Sequence, residues 1–546
     1  MKAAGPISAY HAGEHSLWGP LRQPVFRALW IATVASNLGT WMQNVGASWL
    51  MTALTPSPLI IAMVQAATSL PVFLLALPAG ALADITDRRR LLLITQLWML
   101  LAAAALSAAT YAGAMSPALL LLLTFILGVG AAMNGPAWQA TVGDLVAPHE
   151  LSAAVSLNSA AFNLARAVGP ALGGIILARA GAGTVFLLNA LSFVGVLFVL
   201  YRWKSEQRVT VLPAERFVGA LRAGARYVRH APAVSAVLVR TAAFILFGSA
   251  IWALLPLVVK TEMGRGPSAY GVLLGGFGAG ALMGAALLPK LKSRTTLDIR
   301  VTGASAVFAV ITIGAGLIRI YPVIITLMLL GGAAWMVVLS SLNVAARMVV
   351  PAWVQARSLA VYLLVFQGGT AVGSLAWGAL AGRLGVSLTL VAAGAGLIIS
   401  LTSALLFPLR GGESLDLRPA ADWPEPDLAA ELDADSGPAF ITVEYRVELS
   451  NADEFVRAMA DMRRIRRRDG ALQWGLFVDV TDPQRYVEEF LVESWLEHLR
   501  QHERATVSDR EVQERVKLLH AGPELPRVSH YVSPGHPGRT LREPQP

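Results

Sequence analysis

Arg166 stands about 14 residues into one of the most apolar stretches of a 546-residue chain, in the run Asn163–Leu164–Ala165–Arg166–Ala167–Val168–Gly169–Pro170. A guanidinium is all donor and no acceptor, so in such surroundings it calls for an anion or a group of strong acceptors. Arg240, about two turns into a later apolar run, is a second cation of this kind, close enough to the end of its run to snorkel outward. Amides and aromatics recur around these positions at helical spacing. Asn37, Trp41 and Asn44 share one face; Arg240, Phe244, Phe247 and Trp252 share roughly another. Asn134 with Trp138, and Trp335 with Asn343, lie in further runs, and Asn163 precedes Arg166 by three residues. A lining of this kind suits a bulky amphipathic molecule. Catalytic chemistry is not in view: there is no cysteine, hence no thiol nucleophile, thiolate zinc site, iron–sulfur cluster or disulfide scaffold, and no cofactor or metal site is expected.

The elements that must carry these residues are membrane spans. Hydrophobic residues make up 55% of the chain and charged ones only 14%, against about 25% charged in an average soluble domain. Twelve apolar segments recur, approximately 26–50, 58–83, 91–112, 117–139, 152–178, 183–203, 234–259, 268–289, 299–319, 322–346, 357–382 and 386–408. Each is long enough to cross a hydrocarbon core of about 30 Å. By this segmentation Arg166 lies well inside the hydrocarbon, where an arginine costs at least about 2.5–3.5 kcal/mol and must face a cavity or a partner. No Asp or Glu lies in the middle of any segment; Asp84, Asp144, Glu150 and Glu262 stand near the ends.

The net charge of +9 divides into +17 over residues 1–409 and −8 over residues 410–546. The basic excess therefore belongs to the membrane part and marks topology rather than nucleic-acid binding. The N-terminal tail and the even-numbered connections hold 19 Lys or Arg, the other side only five. Both termini are thus expected in the cytoplasm, on a multi-pass protein of the inner membrane without a removable signal peptide. The domain reading is a tail at 1–25, a six-helix half at 26–203, a basic connecting loop with an amphipathic helix at 204–233, and a second six-helix half at 234–409. An acidic, Pro-rich linker at 410–438, a soluble domain at 439–534 and a disordered tail at 535–546 follow. Residues 163–181 and 367–385 echo one another at an offset of about 204, matching Ala167–Val168–Gly169 with Ala371–Val372–Gly373, as parallel repeats in transporters do.

Two motifs make the reading more specific. Gly80–Ala81–Leu82–Ala83–Asp84–Ile85–Thr86–Asp87–Arg88–Arg89–Arg90 joins the second and third spans. It is similar to the loop signature of the major facilitator superfamily, with Asp87 where that family usually has a glycine. Gly169–Pro170–Ala171–Leu172–Gly173–Gly174 in the fifth span resembles the superfamily's exporter signature. The resemblance covers residues of roughly 20 to 408. It implies an all-α fold of twelve transmembrane helices in two halves, with spans 1, 4, 7 and 10 around a central cavity. It also implies a latch in which Gly80, Asp84 and Arg88 hold a gate, Asp84 facing the positive N-terminal end of span 11. Gly169 and Gly173 fall on one helix face, and Pro170 frees the carbonyl of Arg166 and favours a bend. The partner stripe is expected in span 8, at Gly276, Gly280 and Gly284.

The C-terminal part alternates Val443, Tyr445, Val447 and Leu449 with polar residues, then gives a helix with Phe455, Met459 and Met462 on one face. Further strands fit Leu472–Val480, Tyr486–Val492 and Arg527–Val532, with helical pattern from Trp495 to His520. The order βαββαβ gives a ferredoxin-like α+β domain. Around Glu493–Ser494–Trp495–Leu496–Glu497–His498 and His502 it looks like the antibiotic-biosynthesis-monooxygenase type. Two histidines four apart on a helix supply only half a metal site, so dimerisation or a regulatory and substrate-sensing role is expected. The run Arg463–Arg468 is expected on the outer face of its first helix, toward lipid headgroups. Together these features most resemble the enterobactin-exporter branch. They imply alternating-access export of a siderophore, antibiotic or other secondary metabolite; proton antiport rests on the resemblance alone. An importer on the same fold and a membrane-tethered enzyme or sensor are the other readings.

Overall fold

The computed structural model describes residues 18–203, 226–227, 230–409, 416–418 and 436–533. Helices dominate: α1 (Pro24–Leu54), α2 (Pro58–Ile85), α3 (Arg88–Tyr111), α4 (Pro117–Leu145), α5 (Leu151–Arg202), α6 (Pro232–Leu257), α7 (Pro267–Lys292), α8 (Leu297–Leu317), α9 (Tyr321–Met348), α10 (Ala352–Leu384), α11 (Val386–Ser400) and α12 (Ser403–Leu406). Their starts are written in the sequence. A proline opens α1, α2, α4 and α7, where its missing N–H is no loss. The Asp87 carboxylate caps α3 by accepting the Arg90 backbone N–H at 2.9 Å.

Among the described residues ten helices are long and apolar enough to cross a membrane, against twelve expected segments. Two physical facts account for the difference. The fifth and sixth segments form one 52-residue helix, α5, interrupted at Gly181 with φ 79°. The first is α1, whose Asn37, Thr40, Gln43 and Asn44 lower its hydropathy.

Gly181 has a counterpart. Gly385, 204 residues on, adopts φ 80° and ψ 163° against 79° and 172° at Gly181. Only glycine takes this conformation without strain. The internal echo extends to packing: a Cβ at Gly169 would lie 3.3 Å from the Leu38 carbonyl oxygen of α1, and one at Gly373 2.6 Å from the Leu246 carbonyl oxygen of α6. The same glycine thus lets two equivalent helix pairs touch backbone to backbone.

The described residues fall into two compact units. One is drawn from 18–203, 241–340 and 363–402; the other from 226–227, 230–240, 341–362, 403–409, 416–418 and 436–533. In the first, α1 lies along α5, α2 along α4, α3 against α4 and α5, α5 along α7, and α8 along α11. Phe26, Leu29, Leu91, Leu92, Leu145 and Leu200 close a core at the end that carries Arg88–Arg90. Leu101, Leu122, Val310 and Ile399 are more than half exposed on helix flanks, as lipid-facing side chains must be.

The second unit contains a four-stranded antiparallel sheet of β1 (Ala439–Arg446), β2 (Gln473–Val478), β3 (Arg485–Val492) and β4 (Arg527–Val532), in the order β2-β3-β1-β4. Ile441 pairs with Phe490 on one side and His530 on the other. Val443, Tyr445 and Val447 turn inward against Phe455, Met459 and Met462 of α13 (Ala452–Asp469), as their spacing predicts. The single helix expected over Trp495–His520 is two, α14 (Trp495–Arg504) and α15 (Val507–Leu518). Thr506 and Asp509 form a capping box that starts the second. Most of the expected amphipathic helix at 204–233, most of the 410–438 linker and the tails at 1–17 and 534–546 lie outside the described residues.

Candidate functional site

The centre of the site is Arg166, and its setting follows from the glycines of α5. Gly169 and Gly173 press on α1: a Cβ at Gly173 would lie 2.8 Å from the Met42 Cα. Gly174 faces α7, 2.8 Å by the same measure from the Gly271 Cα. Along α7 the stripe that meets α5 is Gly271, Gly275 and Gly278; a Cβ at Gly278 would lie 2.7 Å from the Arg166 carbonyl oxygen. This corrects the expected pairing. Gly276, Gly280 and Gly284 instead face α9 at Ile325, Leu329 and Ala333. Helical rotation sets the two stripes about half a turn apart, and sequence spacing alone does not say which stripe meets which helix.

With α5 gripped between α1 and α7, the Arg166 guanidinium carbon sits 5.9 Å from the ring centroid of Trp41 on one side and 5.9 Å from that of Phe277 on the other. Such contacts hold a cation without neutralising it. The Arg166 Nε is buried without a hydrogen-bond partner. Aromatic rings continue beyond Phe277. Trp252 lies 4.9 Å from it edge-on, and Trp335 is within 5.6 Å of Trp252, Phe244 and Phe308. The buried indole Nε1 of Trp252 also has no acceptor. Two donors left without acceptors beside an aromatic surface can take an oxygen-rich anionic group attached to a flat or apolar body.

Phe162, Phe277 and Phe308 were not singled out by spacing. Phe277 sits inside a glycine stripe and Phe308 is the single aromatic residue of α8, so neither makes a helical pattern of its own. Among the residues that spacing did single out, Arg166, Trp41, Trp252, Phe244 and Trp335 come together. Asn37 and Asn44 are half-buried on α1. Others are occupied elsewhere. Asn134 accepts from Thr95 at 3.1 Å and Gln96 at 3.3 Å, tying α4 to α3. Trp138 packs on the core at the Arg88 end, and Asn163 donates to the Ser159 carbonyl at 2.9 Å. Arg240 is buried; it and Asn343 belong to the second unit. In the loop signature Arg88 pairs with Asp144 at 2.9 Å, nothing lies within 4 Å of a Cβ built on Gly80, and the Asp84 side chain lies outside the described residues.

Within the first unit, α1–α5 meet the later helices at the end opposite Arg88 as well as at Arg166. Besides Gly174 on Gly271, Lys260 donates to the Thr52 carbonyl, and a Cβ at Gly378 of α10 would lie 3.1 Å from the Leu59 Cα of α2. Nearby, Arg319 pairs with Glu262 at 3.1 Å.

The second unit uses its arginines differently. Arg468 pairs with Asp469 and Asp509, each at 2.7 Å, and Arg466 with the fully buried Glu488 at 3.1 Å. Arg463–Arg468 was expected to face outward; Arg466 and Arg468 turn inward instead, because carboxylates wait there. Arg504 donates to Glu497 at 2.7 Å and lies 4.6 Å over the ring of Trp353 at the start of α10, while Arg226 reaches Glu497 at 2.9 Å. His498, His502 and His530 cluster beside Trp495, with ring centroids 4.6 and 4.9 Å apart around His498. Burial, then the neighbouring His502 and His530, pushes His498 down to about 3; burial and Arg466 push His502 down to about 4. Among the described residues no group of three or more His, Cys, Asp or Glu is placed to hold a metal.

A bundle of apolar helices joined by a glycine-mediated seam, with a cation held among aromatic rings, has the build of a membrane transporter. The chain belongs to the transmembrane secretion effector family, whose model matches residues 15–538. It is 33% identical over 165 residues to a staphyloferrin A transporter of Staphylococcus aureus, covering 30% of this chain and 42% of that one. It is 26% identical over 283 residues to the uncharacterized MFS-type transporter YfiS of Bacillus subtilis, covering 49% and 66%. The chain thus spans less than two thirds of either relative. Among solved structures it resembles an inward-facing bacterial homolog of the human lysosomal transporter Spinster, with TM-score 0.57, 14% identity, and 71% and 97% of the two chains covered. An inward-facing bacterial homologue of the iron transporter ferroportin gives 0.55, 18%, 71% and 99%. These likenesses show the fold, that of an MFS-type transporter.

Proposed function

We propose that the chain exports an oxygen-rich, anionic small molecule of the siderophore or secondary-metabolite class by alternating access. The observation that carries this is Arg166, held between Trp41 and Phe277 with no carboxylate paired to it among the described residues. In support, α5 and Gly181, α1, and the remaining apolar helices make twelve crossings in two six-helix halves. The match of Gly181 with Gly385 and of Gly169 with Gly373 favours parallel repeats, with the substrate between them. The basic loops favour an inner-membrane protein with both termini in the cytoplasm, and the seam at the far end then corresponds to an inward-facing state. Proton antiport is the proposed coupling, through carboxylates at helix ends such as Asp84 and Asp144. The relative described as a staphyloferrin A transporter supports a siderophore as cargo.

The C-terminal domain is proposed as a ferredoxin-like unit of the antibiotic-biosynthesis-monooxygenase type, as its sheet order suggests, acting as a regulator. Arg504 over Trp353 supports this, since that ring belongs to α10, the helix toward which the proposed Asp84 latch is directed. Dimerisation through the same domain is a separate proposal, checked by the oligomeric mass of the purified chain.

The test is retention of a siderophore panel in an efflux-deficient host, with and without the chain, before and after collapse of the proton gradient. Lower retention that disappears on collapse is expected. Arg166→Ala should restore retention to that of cells lacking the chain while membrane abundance is unchanged, and Arg166→Lys should export partially. Unchanged export by Arg166→Ala sinks the substrate-site reading, and greater accumulation in the presence of the chain identifies an importer.

A further inference from the structure

We propose that the cleft between α2 and α3 is a binding site for an anionic phospholipid, with the headgroup phosphate on Arg90 and one acyl chain lying along Ile94 and Trp98. Helix α2 packs on α4, and α3 on α4 and α5, but α2 and α3 barely touch beyond their connecting turn. Between them lies a groove of about 540 Å³, with Leu82 on one side, Ile94 and Trp98 on the other, and Val129 and Met133 of α4 along its floor. Its lining is apolar except for Thr95, whose hydroxyl donates to the Leu91 carbonyl, and for the mouth, where Thr86, Asp87 and Arg90 stand.

The groove is preformed. Trp98 is pinned by its Nε1 donating to the Ile126 carbonyl at 2.7 Å, and its ring rests on Gly130, where a Cβ would lie 2.8 Å from the Trp98 Cδ1. Even so, Trp98 is 47% and Ile94 65% exposed. From Arg90 to Trp98 the helix rises about 12 Å, which takes a chain from the interface toward the middle of a hydrocarbon core of about 30 Å.

The three consecutive arginines have three different employments, and this singles out the headgroup. Arg88 pairs with Asp144, and Arg89 donates to the carbonyls of Leu200 at 2.9 Å and Tyr201 at 2.7 Å, closing the end of α5. Among the described residues the Arg90 side chain has neither an ion pair nor a hydrogen bond, and it is exposed at the groove mouth. Its neighbour Asp87 is turned to the helix end, where it accepts the Arg90 backbone N–H. An unpaired guanidinium above an apolar slot has the charge and shape of a phospholipid's partner. The inference rests on the proposed topology only in taking this loop to lie at the cytoplasmic leaflet. A wedge there would hold α2 and α3 apart, next to the proposed gate.

The experiment uses the full chain in phosphatidylcholine vesicles doped with phosphatidylglycerol or phosphatidylcholine that carries a mid-chain diazirine, with the labelled peptides mapped by mass spectrometry. Phosphatidylglycerol is expected to label Ile94–Trp98 and Val129–Met133 about fivefold more than phosphatidylcholine, the effect of one interfacial arginine. Arg90→Lys should keep that preference, Arg90→Gln should bring the two lipids to parity, and Val129→Trp should remove label from both. Equal labelling of the native protein by the two lipids, or a preference that survives Arg90→Gln, overturns the proposal. So does loss of the label to competing glycerol phosphate, which would make this a headgroup site without a chain. Transport is not part of the readout, so this can fail while export stands.

Discussion

Buried arginines occur in both units, and their company differs. In the second unit burial works against the charge of Arg466 and Arg468, yet Glu488 for the first, and Asp469 and Asp509 for the second, raise their pKa values above the usual range. Each is locked into the fold by carboxylates. Arg166 has two aromatic rings and, among the described residues, no carboxylate. A paired arginine is a rivet, since removing it strands the acids around it. An unpaired one lowers stability and persists where a ligand supplies the missing charge.

Several substitutions would break or sharpen this contrast. Arg468→Ala, the largest, should destabilise the sheet-bearing part of the second unit by about 3–5 kcal/mol by leaving Asp469 and Asp509 buried and unpaired. Limited proteolysis between β1 and β4 reads it, and a domain as resistant as the native one would end the comparison. Next comes pH. His498 and His502 have folded-state pKa values below the ordinary imidazole value of about 6.5, so the unfolded state takes up protons first. The stability they confer is complete above about pH 6.5 and falls as pH drops toward 4, by on the order of a few kcal/mol. Circular dichroism of strand signal against pH checks the direction; replacing both with Gln should flatten the curve.

Arg166→Met carries the opposite sign from Arg468→Ala. Removing an unpaired charge from the helices should leave thermal stability unchanged or raised by about 1–3 kcal/mol, as export disappears. A clear loss of melting temperature would mean Arg166 is a rivet too. The smallest effect belongs to Trp353→Leu, which removes the ring beneath Arg504 and should loosen the second unit by about 1 kcal/mol. Transport changed far more than that small loss explains would mark the contact as regulatory.

Much of this was legible in the chain itself. Apolar runs and prolines gave the membrane helices, and period-two alternation gave β1 and its inward face. The offset of 204 residues aligns Gly181 with Gly385, whose shared positive φ became visible only in the structure. What escaped was rotation about helix axes. Gly271, Gly275 and Gly278 differ from Gly276, Gly280 and Gly284 by a twist that only the neighbours fix, and Asn134 and Trp138 turned to packing for the same reason. Arg466 and Arg468 were misread because their partners, Glu488 and Asp509, are brought to them only by the fold. The break at Thr506 was readable in principle from the Thr-x-x-Asp box.

The position of Arg166 between Trp41 and Phe277 also sets a timetable for biosynthesis. When the ribosome has finished α5, Arg166 has one of its two rings; the other is still unmade. At 5–20 residues per second the second ring follows after roughly ten seconds. Throughout that interval a charged side chain that lipid rejects must be sheltered by the insertion machinery or by water. Shortening or slowing translation between α5 and α7 is therefore expected to change how much of the chain reaches the membrane intact, and Arg166→Met to make that yield indifferent to the delay.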